Sequence, residues 1–284
     1  MTDVSLSSQA AAARFFWVPK GVFTEGGRRA LIAYLVVLIV WQLGSTSEDW
    51  LGTKLPVLGN VPSPASVIRV WAALIHDPSY WMSWAMSMLR VLEGFSAAVL
   101  LGVPFGLLMA TNPVARGICL PVFELLRPIP PLAWVPAAII FWPTQELSIA
   151  SVIFLGAFYT MVINVVGGAR ALDARFVQVA GSMGGSRWNI FRRIVLPAVL
   201  PSIFVGMEVG IGITWEVVVA AEMISGGGGG RAGGGLGFFI WNSYVGGSYP
   251  QIIVGMISIG IAGSLSSAAI RALEPVCAPW LKAR

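Results

Sequence analysis

The chain of 284 residues is poor in charge. Asp, Glu, Lys and Arg make up 11% of it, against 56% for hydrophobic residues. A soluble domain carries roughly 25% charged residues. This chain therefore cannot clothe a water-facing surface, and most of its surface must face lipid. Cysteine is scarce too. Cys119 and Cys277 cannot build a disulfide framework, and both fall on segments read below as cytoplasmic, where thiols stay reduced. The only histidine, His76, has no second ligand nearby and reads as a surface residue. There is no His-Glu-x-x-His, no histidine pair and no Gly-x-Ser-x-Gly elbow, so neither a catalytic residue nor a metal site is expected. No Gly-x-x-x-x-Gly-Lys-Ser/Thr occurs either, so the chain has no phosphate loop and cannot be its own motor. The 33 glycines lack a three-residue period, which excludes collagen.

What is present is a series of long apolar runs. A bilayer core of about 30 Å needs about 20 mostly apolar residues per helix. Six spans are expected: Arg29 to Leu43 with its flanks, about Trp84 to Ala110, about Pro130 to Trp142, Leu147 to Val166, Ala198 to Ile224, and Ile252 to Ile270. With flanks they are 29–45, 84–111, 128–145, 147–167, 198–224 and 250–271, and the third is short with Pro-rich edges. None alternates as a barrel strand would, and backbone in lipid must bond internally, so helices are expected. The net charge of +5 lies between these runs rather than on one basic face, which argues against a nucleic-acid partner. With the N-terminus in the cytoplasm, 1–29, 112–127, 168–196 and 271–284 hold fourteen of the 18 Lys and Arg, and the outer segments hold only Lys54, Arg69 and Arg231. That asymmetry places both termini inside. Residues 1–29 then form a cytoplasmic segment, with no cleavable signal expected. Phe15, Phe16 and Trp17 beside Lys20 read either as an interfacial anchor or as part of an untethered tail.

The segments between spans carry further signals. After Val61-Pro62-Ser63-Pro64, the apolar residues of Ala65 to Ile75 recur at helical spacing, which predicts an amphipathic helix on the outer surface. Arg127-Pro128-Ile129-Pro130-Pro131 must break a helix. Such a break is either a simple turn or backbone facing a water-filled cavity. The outer stretch Ser225 to Gly237 includes five consecutive glycines and Arg231. It reads as a flexible linker or as an anion-binding nest. Gly235-Leu236-Gly237-Phe238-Phe239 resumes aromatic character at once and implies packed structure.

The most informative stretch lies between the fourth and fifth spans, within 172–197. Gln178-Val179-Ala180 and the residues to Pro197 read as two short helices with a glycine bend. Gly184 permits a positive φ there. Phe191, Ile194 and Val195 give an apolar face, Arg187, Arg192 and Arg193 a cationic one, and Pro197 suits the first turn of the next span. A structured, basic, amphipathic loop inside the cell suggests a docking site for a partner.

This spacing resembles the coupling motif of ATP-binding-cassette importer permeases: Glu-Ala-Ala, three residues, Gly, nine residues, Ile, any residue, Leu-Pro. Gln178, Val179 and Ala180 stand where Glu-Ala-Ala would be, and Gly184, Ile194, Leu196 and Pro197 match without gaps. Gln178 and Val179 depart from the pattern. Leu89 to Phe95, Arg127 to Pro136, Ala220 to Met223 and Gly235 to Trp241 are similar to the permeases for nitrate, bicarbonate, taurine and other sulfonates. The resemblance implies an all-α polytopic protein with six transmembrane helices and the type I importer permease (MetI-like) fold. It implies a bacterial inner-membrane location and import of a small anion by alternating access. The implied partners are cytoplasmic ATPase subunits, a periplasmic or lipid-anchored substrate-binding protein, and a second permease copy in a homodimer. ATP and Mg²⁺ would sit on the ATPase, with no cofactor in this chain. Coupling would fall to Gln178, Val179, Ala180, Gly184, Ser186, Arg187, Phe191, Ile194, Leu196 and Pro197.

Ionisable residues inside spans are functional candidates by default. Glu208 and Glu222 lie about 40° apart around the fifth span and about 21 Å apart along it, with Glu216 turned away. Arg90 and Glu93, at i, i+3, can pair on one helix face as a structural pair, or Arg90 helps attract an anion. Pathway candidates are therefore Trp215, Glu216, Glu222, Arg90, Glu93, Pro130 and Pro131, with Arg231, Gly235 and Gly237 in the outer loop. Glu222 reads either as a protonated acid or as a hydrogen-bonding partner near the outer gate, structural or pathway-lining, and Trp215 as pathway lining or as ordinary packing. From residues alone, an ion-coupled carrier or channel working without an ATPase stays open, although no inverted repeat is evident.

Overall fold

The structure, a computed structural model, describes residues 25–226 and 234–280. Arg14, Phe15, Phe16, Trp17, Lys20, Arg231 and most of the five-glycine run lie outside the described residues. The regular elements that are described are all helical. The chain divides into two units, Met1–Arg69 and Val70–Arg284.

In the first unit, α1 (Glu25–Ser45) includes Gly27–Ser45, which is long and apolar enough to cross a bilayer. A short α2 (Ser47–Leu51) follows and ends at Gly52 in the left-handed region, φ +68°. The Trp41 indole N–H donates to the Pro62 carbonyl at 3.1 Å, and the Gln42 side-chain oxygen accepts from the Ala65 N–H at 3.2 Å. These bonds tie the proline-rich stretch back to α1. The predicted amphipathic helix is present as α3 (Pro64–Leu74), which begins in this unit and runs into the next.

The second unit is built around long helices. α4 (Pro78–Thr111) opens with Asp77 accepting from the Ser79 N–H at 2.9 Å and has proline in its first turn, the arrangement that satisfies orphan amides at a helix start. Asn112 likewise caps α5 (Pro113–Leu126) by accepting from the N–H groups of Val114 and Ala115. A 3₁₀ turn (Pro131–Trp134) leads into α6 (Val135–Phe141). Then come α7 (Gln145–Arg170), α8 (Ala174–Ser182), α9 (Arg187–Ile190), α10 (Leu196–Ser225), α11 (Leu236–Val245) and α12 (Tyr249–Cys277).

The predicted third span needs correction. Residues 128–145 do not form one helix, because the prolines confine regular structure to the 3₁₀ turn and the seven residues of α6. At about 1.5 Å per residue, α6 is far too short to cross a bilayer. It passes as a span only together with α5, as a pair bent by 86°. The segment 112–127, read from sequence as a loop, is therefore mostly helix. Among the described residues, five helices are long and apolar enough to cross by themselves, and six spans result if the bent pair is counted as one.

α7 is the central helix, packed along both α4 and α10. The α4 contact is close because small residues recur every four positions: Gly94, Ala98, Gly102 and Gly106. A Cβ on Gly106 would stand 2.8 Å from Val165, and one on Gly94 would overlap Ile153. Without a hydrophobic drive between helices in lipid, such stripes let backbones approach and gain dispersion contacts. Ile153, Ala157, Met161 and Val165 on α7 are completely buried.

Candidate functional site

Two features stand out, one at each end of α7. At the C-terminal end, Asp173 caps α8 by accepting from the Arg175 N–H at 2.9 Å. α8 ends in a tight bend where the Gly184 N–H donates to the Gly181 carbonyl and the Gly185 N–H to the Ala180 carbonyl, both at 3.0 Å. The bend needs both glycines for different reasons. Gly184 has φ +81°, a conformation costly to residues with a Cβ, while a Cβ on Gly185 would stand 2.7 Å from the Ala180 carbonyl oxygen. Ser186 then caps α9, accepting from the Asn189 N–H at 3.3 Å. Phe191–Val195 form one π-helical turn that runs directly into α10, with Leu196 and Pro197 in its first turn. Such turns recur at functional positions in helices.

No residue of α8 is buried. Gln178 and Val179 are exposed and Ala180 is half-buried. Phe176, Val179, Met183 and Trp188 are exposed apolar side chains, Met183 to 82%. Behind the bend, a cleft of about 1040 Å³ separates the loop from the end of α4, with Gln178, Arg187, Trp188 and Phe191 on the loop side. Ile194 is half-buried in the joint. The sequence-predicted coupling residues therefore form one contiguous elbow.

At the other end of α7 is a buried polar cluster. Arg90 on α4 is 2% exposed and Glu222 on α10 is 0% exposed. Arg90 Nη1 donates to Glu222 Oε1 at 2.8 Å, and the Arg90 Nε and Nη2 groups grip both oxygens of Glu146, at 2.9 and 2.7 Å. The Ser87 hydroxyl lies 2.8 and 2.9 Å from the two Glu222 oxygens and donates to that carboxylate. Ser87 also accepts from the Leu236 N–H at 2.8 Å, and the Gly237 N–H donates to Glu222 Oε2 at 2.9 Å. The first-turn amides of α11 thus face a carboxylate, which suits the positive end of a helix. Glu146 sits in the first turn of α7 for the same benefit. Cβ atoms at Gly235 or Gly237 would overlap the Glu222 carboxylate and the Val219 carbonyl respectively.

This cluster corrects one expectation and clarifies others. Arg90 does not pair with Glu93, which is exposed. The guanidinium is turned across the bundle, toward two carboxylates on α7 and α10. Of the outer-loop candidates, Gly237 donates its N–H to the protein's own Glu222, and Gly235 packs closely against that carboxylate. Glu208 pairs with Arg271 on α12. Trp215 is packed inside the chain, 3% exposed, with its indole N–H donating to Ser266 Oγ at 3.2 Å. Glu216 is exposed on α10. Pro130 is exposed, and Pro131 lines a separate cleft with Arg127. Sequence reasoning missed Ser87 and Glu146. The spacing of Ser87 and Arg90, one turn apart on a helix, was the available signal for the first. Glu146, a lone acid at a helix start, had none.

Comparison with known proteins places this geometry in context. Residues 102–282 match the family described as binding-protein-dependent transport system inner membrane component. The nitrate import permease protein NrtB of Synechocystis sp. is 34% identical over 274 residues, covering 93% of this chain and 92% of its own. The taurine transport system permease protein TauC of Escherichia coli is 33% identical over 252 residues, 86% of each chain. The fold resembles a chain of the MetNI methionine ABC transporter in inward-facing conformations. The TM-score is 0.55 at 17% identity, covering 70% of this chain and 94% of that one.

Proposed function

The chain belongs to the family of binding-protein-dependent transport system inner membrane components, and from that premise we propose that it is the permease through which a small oxyanion is imported at the expense of ATP. As a member it is a permease subunit rather than an enzyme, and the hydrolysing subunit is a separate chain. Membership sets aside the ion-coupled carrier. The substrate class follows from relatives named for nitrate and taurine, both of which present a compact group of negatively charged oxygens. The partners would be cytoplasmic ATPase subunits holding ATP and Mg²⁺, a substrate-binding protein on the opposite side, and a second copy of this chain. The setting would be the bacterial inner membrane with both termini in the cytoplasm.

The observation that carries this reading is the elbow at Gly184. It presents Phe176, Val179, Met183 and Trp188 outward from a turn capped at both helices. Exposed apolar side chains on a rigid basic loop suit insertion into a groove of a soluble partner. The π-helical turn joins that elbow to α10 without a break, so force applied there reaches the membrane.

The test is uptake of nitrate and of taurine by liposomes holding this chain with its ATPase and binding protein. ATP-dependent accumulation of either is expected. Gly184→Val should abolish it while the amount of inserted permease stays unchanged. Accumulation without an ATPase, or normal accumulation by Gly184→Val, would refute the coupling role.

A further inference from the structure

The break between α5 and α6 creates a second polar feature, apart from both ends of α7. Arg127 terminates α5, where the chain bends by 86°. It lines a cleft of about 370 Å³ together with Pro131, Tyr159, Thr160, Asn164 and the α10 residue Ile213. Tyr159 to Asn164 lie within the 26-residue span α7, so the cleft opens at membrane depth, and Arg127, counted from sequence among the cytoplasmic cations, stands instead between the halves of the bent third span. Its floor is made by Gly156. A Cβ there would stand 3.3 Å from Ile213 and 3.6 Å from Pro131.

The chemistry of the cleft is one-sided. Arg127 is its only ionised lining residue at neutral pH, and no carboxylate lines it among the described residues. Arg127 is exposed toward the cleft side and makes no ion pair among the described residues. A guanidinium at this depth is costly unless it faces a partner or a water-filled cavity. The remaining polar groups are donors in waiting. The Thr160 hydroxyl is spent on the Gly156 carbonyl at 3.2 Å, and one Asn164 amide hydrogen on the Thr160 carbonyl at 2.9 Å. That leaves the second Asn164 amide hydrogen. The Tyr159 hydroxyl makes no hydrogen bond among the described residues, although its ring packs on Phe123.

We propose that this cleft is a transit site for an oxyanion, with the Arg127 guanidinium receiving the anionic oxygens and the Tyr159 hydroxyl and Asn164 amide completing the donor set. This rests on the oxyanion reading of the substrate given above. Arginine suits the task because its fork of donors matches two oxygens of a planar or tetrahedral oxyanion. A water occupies about 30 Å³, so the volume holds such a group with part of its hydration shell. One cation with few neutral donors binds weakly, as a transit site must. A phospholipid phosphate offers the same chemistry, and the experiment separates the two.

The reporter is Thr160→Cys in the full chain, in liposomes, with Cys119 and Cys277 replaced by serine. Its rate of reaction with the anionic 2-sulfonatoethyl methanethiosulfonate is divided by that with the cationic trimethylammonium reagent. A unit charge at several ångströms in a partly wet cleft changes this ratio by roughly tenfold. Arg127→Gln should lower the ratio by about that factor and Arg127→Lys should preserve most of it. Millimolar nitrate or taurine should slow the anionic reagent only when Arg127 is present. An unchanged ratio in Arg127→Gln overturns the proposal. So does slowing that follows the phosphatidylglycerol content of the liposomes rather than the free anion. A chain that accumulates neither nitrate nor taurine but keeps the Arg127-dependent ratio refutes the substrate reading and leaves the cleft chemistry standing.

Discussion

Arg90 and Glu222, 132 positions apart in sequence, meet at 2.8 Å with both side chains sealed from solvent. The contact joins α4 to α10, and through Ser87 and Gly237 it also holds the start of α11. Breaking a buried pair by removing one partner costs about 3–5 kcal/mol, because the other charge is left unpaired. Glu222→Ala should therefore lower the unfolding midpoint of the purified chain markedly. Glu146→Ala should cost less, since Glu146 is 29% exposed and Arg90 keeps Glu222. Equal losses for the two, read by thermal unfolding in detergent, would contradict this hierarchy.

The corner at Gly235 to Gly237 makes a separate prediction. A Cβ on Gly237 would collide with the Val219 carbonyl, so Gly237→Ala should pry the first turn of α11 from α10. Hydrogen exchange at the amides of Leu236 and Gly237 should then speed up by an order of magnitude or more, equivalent to about 1.4 kcal/mol or more of lost protection. The middle of α7 should exchange as before.

Helix packing supplies a third. Gly94→Val and Gly106→Val place carbon atoms inside Ile153 and Val165 and should reduce the folded fraction by about 1–3 kcal/mol of overpacking or more. Gly117→Ala on α5 is the contrasting case, because nothing lies within 4 Å of its Cβ. It should be neutral or stabilise by up to about 1 kcal/mol. Fluorescence-detected gel filtration after heating ranks all three.

The elbow supplies the last. Met183→Asp changes an exposed side chain, and Trp188→Asp removes the exposed ring that stacks on Phe191; neither lies in the buried core, so membrane levels should be unaffected. Co-purification of the ATPase subunit with the permease should fall by roughly tenfold, as expected when a charge replaces an apolar anchor. Undiminished co-purification by both would move the docking surface elsewhere.

Much of this was legible in the sequence because its signals are local. Long apolar runs mark the spans, and the spacing from Gln178 to Pro197 marks the elbow, whose positive φ at Gly184 is set by residues within one turn. The errors came from nonlocal partners. Arg90 and Glu93 are spaced to pair, but the choice between Glu93 and Glu222 depends on which face of α4 meets α10, and periodicity does not reveal that. Glu146 was missed because its partner is set only when α7 lies beside α4. The third span misled because composition cannot distinguish a straight apolar helix from one folded back at Arg127 to Pro131.

Arg187 through Ser225 form one continuous 39-residue helical rod, and Glu222 sits near its far tip. From Arg187 to Glu222 that is about 50 Å at 1.5 Å per residue. A tilt of about 10° at the elbow would move the tip sideways by roughly 9 Å, and Arg90 on α4, Glu146 on α7 and the start of α11 would have to follow Glu222 or let go of it. Such a rod would act as an oar: a small stroke at the handle would become a displacement wider than a water molecule, or an oxyanion, at the blade.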